Sequence, residues 1–257
     1  MNLYDIHAHM DYPPLDEKLD AVLKRAKDAG VKAIISNGTQ PSSNRTVLDM
    51  AAKHDIIKPA LGFYPTHVHE HDDPESAVEE EIAFIRKQKP MALGEVGLDK
   101  KWSEEDAPRA DQLFKRQLIG FEKFVHLAEK KSIPLIIHSR KAELEVIEMM
   151  ESSSAKKIIM HCFSGKKRLV KRVQDNGWSF SIPVIVTKLQ QFQEMVQTTP
   201  LANLFTETDA PFLGPQPGLT NEPHNVAMTV KKIAELRGLT EQETADQLFM
   251  NYQRFFL

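Results

Sequence analysis

The chain has 257 residues, of which 41% are hydrophobic and 27% charged, and its formal charge is −3. That balance excludes wholesale disorder and a general basic coat for nucleic acid, and the only cysteine, Cys162, excludes an internal disulfide. No run reaches the ~18 apolar residues of a membrane span, and no basic-then-apolar leader precedes Leu3. A reducing, cytoplasmic setting is expected, with no membrane partner.

Short apolar runs alternate with helix-period segments along the whole chain. Strands are expected at Leu3–His7, Lys32–Ser36, Ile57–Gly62, Met91–Val96, Leu135–His138, Lys157–His161, Trp178–Ile182 and Leu204–Glu207. Most are continuously apolar, the pattern of parallel strands covered on both faces. Helices are expected near Leu15–Ala29, Ser43–His54, Pro74–Lys87, Ala107–Lys131, Lys141–Glu151, Lys166–Asn176 and Lys188–Thr198, with two more near Glu222–Arg237 and Thr240–Asn251. Thr240 with Glu243 reads as a capping box. Eight β-then-α units predict an α/β fold of the (β/α)8 TIM-barrel type, residues 1–257 forming one domain; a doubly wound open sheet is the rival. Pro211–Pro223, with four prolines and two glycines, suits an active-site loop after the eighth strand.

Five of the expected strands end in metal-type ligands. His7 and His9 lie two residues apart at the first strand end, a spacing that turns both imidazoles to one side of an extended chain. Glu95 closes Met91-Ala92-Leu93-Gly94, where an unpaired carboxylate is costly to bury and a bridged pair of cations would compensate it. His138 and His161 end the fifth and sixth strands, and Asp209 follows the eighth. In a barrel these strand ends share one mouth. Four histidines and two carboxylates suit zinc or manganese better than magnesium, and six ligands are too many for one tetrahedral ion. One or two divalent ions are therefore the expected cofactor.

The segments DIHAHMD (5–11), GEVGLD (94–99), IIHSR (136–140), HCFSG (161–165), ETDAPFL (207–213) and NEP (221–223) together resemble the TatD family of metal-dependent deoxyribonucleases. The resemblance implies a TIM barrel with a one- or two-metal site. It carries over His7 and His9 as ligands of one metal, Glu95 as the shared ligand, and His138 and His161 as ligands of the other. Asp209 carries over as a ligand and as the base for an attacking water. The implied reaction is hydrolysis of DNA phosphodiester bonds, trimming from the 3′ end. Three positions depart from the family pattern: Tyr64-Pro65 stands where His-Pro is usual, Lys100-Lys101-Trp102 where aromatic residues are usual, and Lys141 where an acid is usual.

Substrate contacts are expected from the loops on the same face. Arg140 could grip a phosphate bidentately, and Ser164 with Lys166 could present a helix start to it. Lys100, Lys101, Lys141, Lys167 and Arg168 extend a basic rim. Tyr64, Trp102 and Phe163 are possible stacking surfaces, His67 could reach the mouth, and Asn221 lies in the NEP motif. The rest of the His67–His71 tract is expected to face solvent. Two alternatives stay open: an amidohydrolase-type esterase or deacylase acting on an amide, lactone or aminoacyl ester, and a non-catalytic metal-binding protein.

Overall fold

The computed structural model describes residues 1–106 and 108–257. In chain order the elements are β1 (Leu3–Ala8), α1 (Leu19–Asp28), β2 (Val31–Asn37), α2 (Pro41–Lys53), β3 (Ile57–Leu61), α3 (Pro74–Ile85), β4 (Ala92–Gly97), α4 (Lys100–Glu105), α5 (Ala110–Lys131), β5 (Leu135–His138), α6 (Glu143–Glu151), β6 (Ile158–Met160), α7 (Lys167–Asp175), β7 (Ser179–Ile182), α8 (Gln190–Thr198), β8 (Leu204–Thr206), α9 (Val226–Arg237) and α10 (Glu241–Phe256). Every expected strand is present, with its ends moved by no more than one residue. The first residue of the expected Ala107–Lys131 helix lies outside the described residues. The fold is the (β/α)8 TIM-barrel class, with strands ordered β1 to β8.

Contacts divide the chain into two compact units. The first comprises Met1–Asn37, Thr46–Lys58 and Ser179–Leu257. In it β7 pairs with β8 in parallel, from Phe180↔Leu204 to Ile182↔Thr206. The chain after β8 then meets β1 through the parallel bridge Ala8↔Ala210, and β1 pairs with β2 from Leu3↔Val31 onward. The last strand thus returns to the first, which a doubly wound open sheet does not do. Tyr4 of β1 stacks on Tyr252 of α10 with ring centroids 4.9 Å apart, and Phe205 of β8 meets Tyr4 edge-on at 6.3 Å. Buried Asn251 of α10 donates to the carbonyls of Leu201 (2.7 Å) and Leu204 (3.0 Å), fixing the helix against the start of β8. The capping box is formed: Thr240 Oγ1 accepts from the Glu243 N–H at 3.2 Å, and the Thr240 N–H donates to Glu243 Oε2 at 2.9 Å. Thr240→Ala should cost about 1 kcal/mol. Chemical denaturation would register this as a lower midpoint with an unchanged slope.

The second unit comprises Gly38–Arg45 and Pro59–Trp178. Here β3, β4, β5 and β6 pair in parallel, through Ala60↔Ala92, Leu93↔Leu135 and Ile137↔Met160. The register between β4 and β5 breaks between Leu93 and Val96, the stretch that carries Glu95. Gly97 ends β4 at φ 141°, and a Cβ there would stand 2.0 Å from the His138 carbonyl oxygen. Only glycine lets the two strand ends approach so closely. That approach is locked by the Leu98 N–H, which donates to the same carbonyl at 3.0 Å. Among the described residues, no helix is long and apolar enough to cross a membrane.

Candidate functional site

In the first unit, His7, His9 and Asp209 come together. His7 Nε2 and His9 Nε2 are 3.2 Å apart, and Asp209 Oδ1 lies 3.5 Å from the first and 3.4 Å from the second. The imidazoles are sealed off, with side chains 0% and 4% exposed, whereas the Asp209 carboxylate keeps 16%. His9 Nδ1 lies 3.0 Å from the Asn37 carbonyl oxygen. A carbonyl can only accept, so Nδ1 carries the proton and Nε2 presents its lone pair toward His7 and Asp209.

Asp209 reaches this position through a turn in the left-handed region, φ 62°. Its N–H donates to the His7 carbonyl at 2.8 Å, and the His9 N–H donates to the Ala210 carbonyl at 2.7 Å. Such a conformation costs of order 1 kcal/mol even for aspartate, and persists only where the surroundings hold it. Asp5, fully buried on β1, does much of that holding. It accepts from the Thr208 N–H (2.9 Å), the Thr208 hydroxyl (2.5 Å) and the His7 N–H (3.2 Å). Burial pushes the Asp5 carboxyl up to about 8, against the opposing pull of those hydrogen bonds. Asn221 is also buried and donates its amide to the carbonyls of Thr208 (2.7 Å) and Leu213 (3.1 Å). Its place is inside the loop it braces, not on the surface that would meet a substrate.

In the second unit, Glu95, His138 and His161 come together. Glu95 Oε1 stands 2.8 Å from His138 Nδ1 and 3.9 Å from His161 Nε2, with Glu95 3% and His161 5% exposed. The other nitrogen of His138, Nε2, lies 3.0 Å from Asp99 Oδ2, which also accepts from the Tyr64 hydroxyl at 3.1 Å. Burial works to raise the Asp99 carboxyl, but hydrogen bonds from His138, Trp102 N–H and Tyr64 outweigh it and hold it below the usual range. Asp99 also caps α4, a helix not anticipated from the sequence, by accepting from the Trp102 N–H at 3.0 Å. Gln117 of α5, 1% exposed, grips the Asp99 backbone on both sides: its Oε1 accepts from the N–H at 2.8 Å and its Nε2 donates to the C=O at 3.1 Å.

The His7–His9–Asp209 set fits a divalent cation. Ligand atoms held ~2.0–2.1 Å from one tetrahedral ion lie about 3.3 Å apart, and the His7–His9–Asp209 spacings of 3.2, 3.5 and 3.4 Å match this. Around His138, burial opposes the imidazolium, yet hydrogen bonds to Asp99 and Glu95 outweigh it and lift the pKa to about 9. Two carboxylates on one half-buried ring favour positive charge there.

The other expected substrate residues belong to the second unit. Arg140 and Lys166 are exposed. Ser164 donates to Glu143 at 3.1 Å. The basic rim is partly neutralised, since Lys100 pairs with Glu145 (3.3 Å) and Lys141 with Glu104 (2.7 Å). Trp102 is 52% exposed, but Phe163 is 1% exposed and unavailable for stacking. Tyr64 is half-buried against His138. The His67–His71 tract corrects the expectation of a solvent-facing loop: all three histidines are half-buried, His67 pairing with Glu70 at 2.8 Å and His69 lying 3.3 Å from Gln117 Nε2. Cys162 sits beyond the end of β6 at φ 42°, so a turn rather than strand alternation sets its position.

Comparison with known proteins agrees with this chemistry. The family model described as "TatD related DNase" matches residues 4–257. The uncharacterized metal-dependent hydrolase YabD of Bacillus subtilis is 31% identical over 99% of this chain and 98% of its own length. The human deoxyribonuclease TATDN3 is 27% identical over 100% of this chain and 95% of its own. Among solved structures, the Escherichia coli TatD homologue YjjV superposes with a TM-score of 0.85 at 28% identity, covering 99% of this chain and 97% of that one.

Proposed function

Because the chain belongs to the TatD family of metal-dependent hydrolases, enzymes that act on ester bonds, we propose that its substrate is DNA, trimmed from the 3′ end by phosphodiester hydrolysis. The chain acts as one catalytic domain. His7, His9 and Asp209 would hold one divalent ion, and Glu95, His138 and His161 would supply donors for a second. With four imidazoles among six donors, zinc and manganese suit the set better than magnesium. A divalent ion held there would supply Lewis acidity, making water a nucleophile near neutral pH and offsetting phosphoryl charge. The observation that carries the reading is Asp209: beside two sealed imidazoles, its carboxylate alone keeps access to solvent.

Asp209 takes the proton of the attacking water and aims its oxygen. Arg140 offers its guanidinium to the phosphate. Asp99 holds Nε2–H of His138, leaving Nδ1 as the ligand atom, and Tyr64 steadies Asp99 through its hydroxyl. Asp99→Ala should weaken metal binding by about 10–100-fold. Equilibrium dialysis would measure it, and an unchanged affinity would remove Asp99 from this role.

The direct test is release of nucleotides from end-labelled single-stranded DNA by the metal-loaded protein, with a chelated control. The expected result is metal-dependent loss of 3′ label. A panel of amide, lactone and aminoacyl ester substrates runs alongside. Hydrolysis confined to that panel would overturn the DNA assignment while leaving the hydrolase intact, and metal binding with no hydrolysis of any kind would favour a binding protein.

A further inference from the structure

Most exposed large apolar side chains of the first unit lie on helices, at termini or in the α9–α10 turn. The exceptions are Leu189, Phe212 and Leu219, 43%, 48% and 55% exposed, which all follow the C-terminal ends of β7 and β8. That is the end where barrel enzymes carry their sites. Phe212 stands out because it touches the candidate ligands. Its ring meets the His9 imidazole edge-on with centroids 5.9 Å apart, and it meets Tyr12 edge-on at 5.9 Å. Tyr12 in turn lies 5.4 Å from His9, closing a triangle of rings.

The ring is held stiffly. The Phe212 N–H donates to the Asp209 carbonyl at 2.8 Å, so the turn that aims Asp209 also aims Phe212. Asn221 ties down both flanks: its N–H donates to the Pro211 carbonyl at 3.0 Å, and its amide donates to Leu213 at 3.1 Å. A Cβ at Gly214 would stand 2.0 Å from the Leu219 carbonyl oxygen, so the loop is folded tightly on itself. A pre-ordered aromatic face loses little entropy when a flat partner settles on it.

We propose that Phe212, backed by Tyr12, is a stacking subsite for a nucleobase next to the scissile phosphate. The proposal rests on the DNA reading above. A single exposed phenylalanine is ordinary on any surface; here its position three residues after Asp209, its edge contact with His9 and its rigid seat give it a use. Stacking also explains how a protein without a general basic coat could hold a strand, since it needs no charge and tolerates any base.

The test uses the metal-loaded full chain and a single-stranded hexanucleotide with phosphorothioate linkages that resist cleavage. One version carries 2-aminopurine at its 3′ nucleotide and the other an abasic site there. Wild type should bind the base-bearing oligomer about 5- to 150-fold more tightly, the range that base–aromatic stacking supplies, with quenching of 2-aminopurine emission. Phe212→Ala and Phe212→Leu should bring the ratio close to one, and Phe212→Trp should keep it. Metal content of each variant shows whether His9 has been disturbed. A ratio near one in wild type, or a ratio that survives Phe212→Ala, overturns the proposal. Cleavage of the unmodified oligomer, measured in parallel, separates the two readings. Cleavage without a base preference leaves the nuclease standing and removes the stacking site; a base preference without cleavage does the reverse.

Discussion

Asp209→Asn is expected to lower metal-dependent hydrolysis by about 10²–10⁴-fold, the usual worth of a positioned general base. The substitution keeps the shape of the side chain and its φ of 62°, which asparagine adopts as readily as aspartate. It also keeps an oxygen that can face the His7 and His9 Nε2 atoms, now 3.5 and 3.4 Å from Asp209 Oδ1. What it removes is the negative charge and the ability to take a proton. The loss should therefore fall mainly on kcat, with KM for the oligonucleotide little changed. Metal content measured by mass spectrometry separates a lost base from a lost ligand: a variant that binds metal and does not turn over identifies the base. A His7→Ala variant should instead lose metal and activity together. If Asp209→Asn retains kcat within tenfold of wild type, Asp209 is not the proton acceptor, and another group must take that role.

The strands were legible because a parallel strand covered on both faces needs uninterrupted apolar residues, and turn residues bound each run. The ligand residues were legible for the complementary reason. An ionisable group closing an apolar run is costly unless something compensates it, so His7, Glu95, His138 and His161 stand out against their neighbours. What holds them was not legible. Asp5 secures Thr208 across 203 positions of sequence, and Gln117 grips Asp99 across 18; local pattern carries no trace of either. Gln117 reads as one more polar residue of an amphipathic helix, yet it is among the most deeply buried residues of α5. The pairing of two rim lysines was hidden for the same reason, because the partners of Lys100 and Lys141 lie 45 and 37 residues away. Inside ETDAPFL, Phe212 reads as one more apolar residue. Only its 48% exposure distinguishes it from a core phenylalanine.

Arg45→Met, remote from the ligands, should lower the stability of the fold markedly. Glu81 on α3 is 2% exposed. Its carboxylate is satisfied by Arg45, whose guanidinium donates to both oxygens at 2.5 Å, and by the Asn44 amide at 2.7 Å. The guanidinium also donates to the Pro41 carbonyl at 2.8 Å and lies 3.7 Å from the centre of the Phe84 ring. Methionine keeps the apolar stem over Phe84 and removes the charge, leaving Glu81 buried with only an amide to answer it. Breaking a fully buried pair costs about 3–5 kcal/mol. Arg45 is 42% exposed, so water reaches one side of the pair and the expected cost is about 2–4 kcal/mol. For a chain of this size that corresponds to a fall in Tm of about 4–16 °C. The double variant Arg45→Met, Glu81→Leu should recover more than half of the loss, because it removes the stranded carboxylate along with its partner. Asn44 would keep its second bond, to the Gly62 carbonyl at 2.8 Å. A double variant no more stable than Arg45→Met alone would show that the cost lies in lost packing over Phe84 rather than in an unanswered charge.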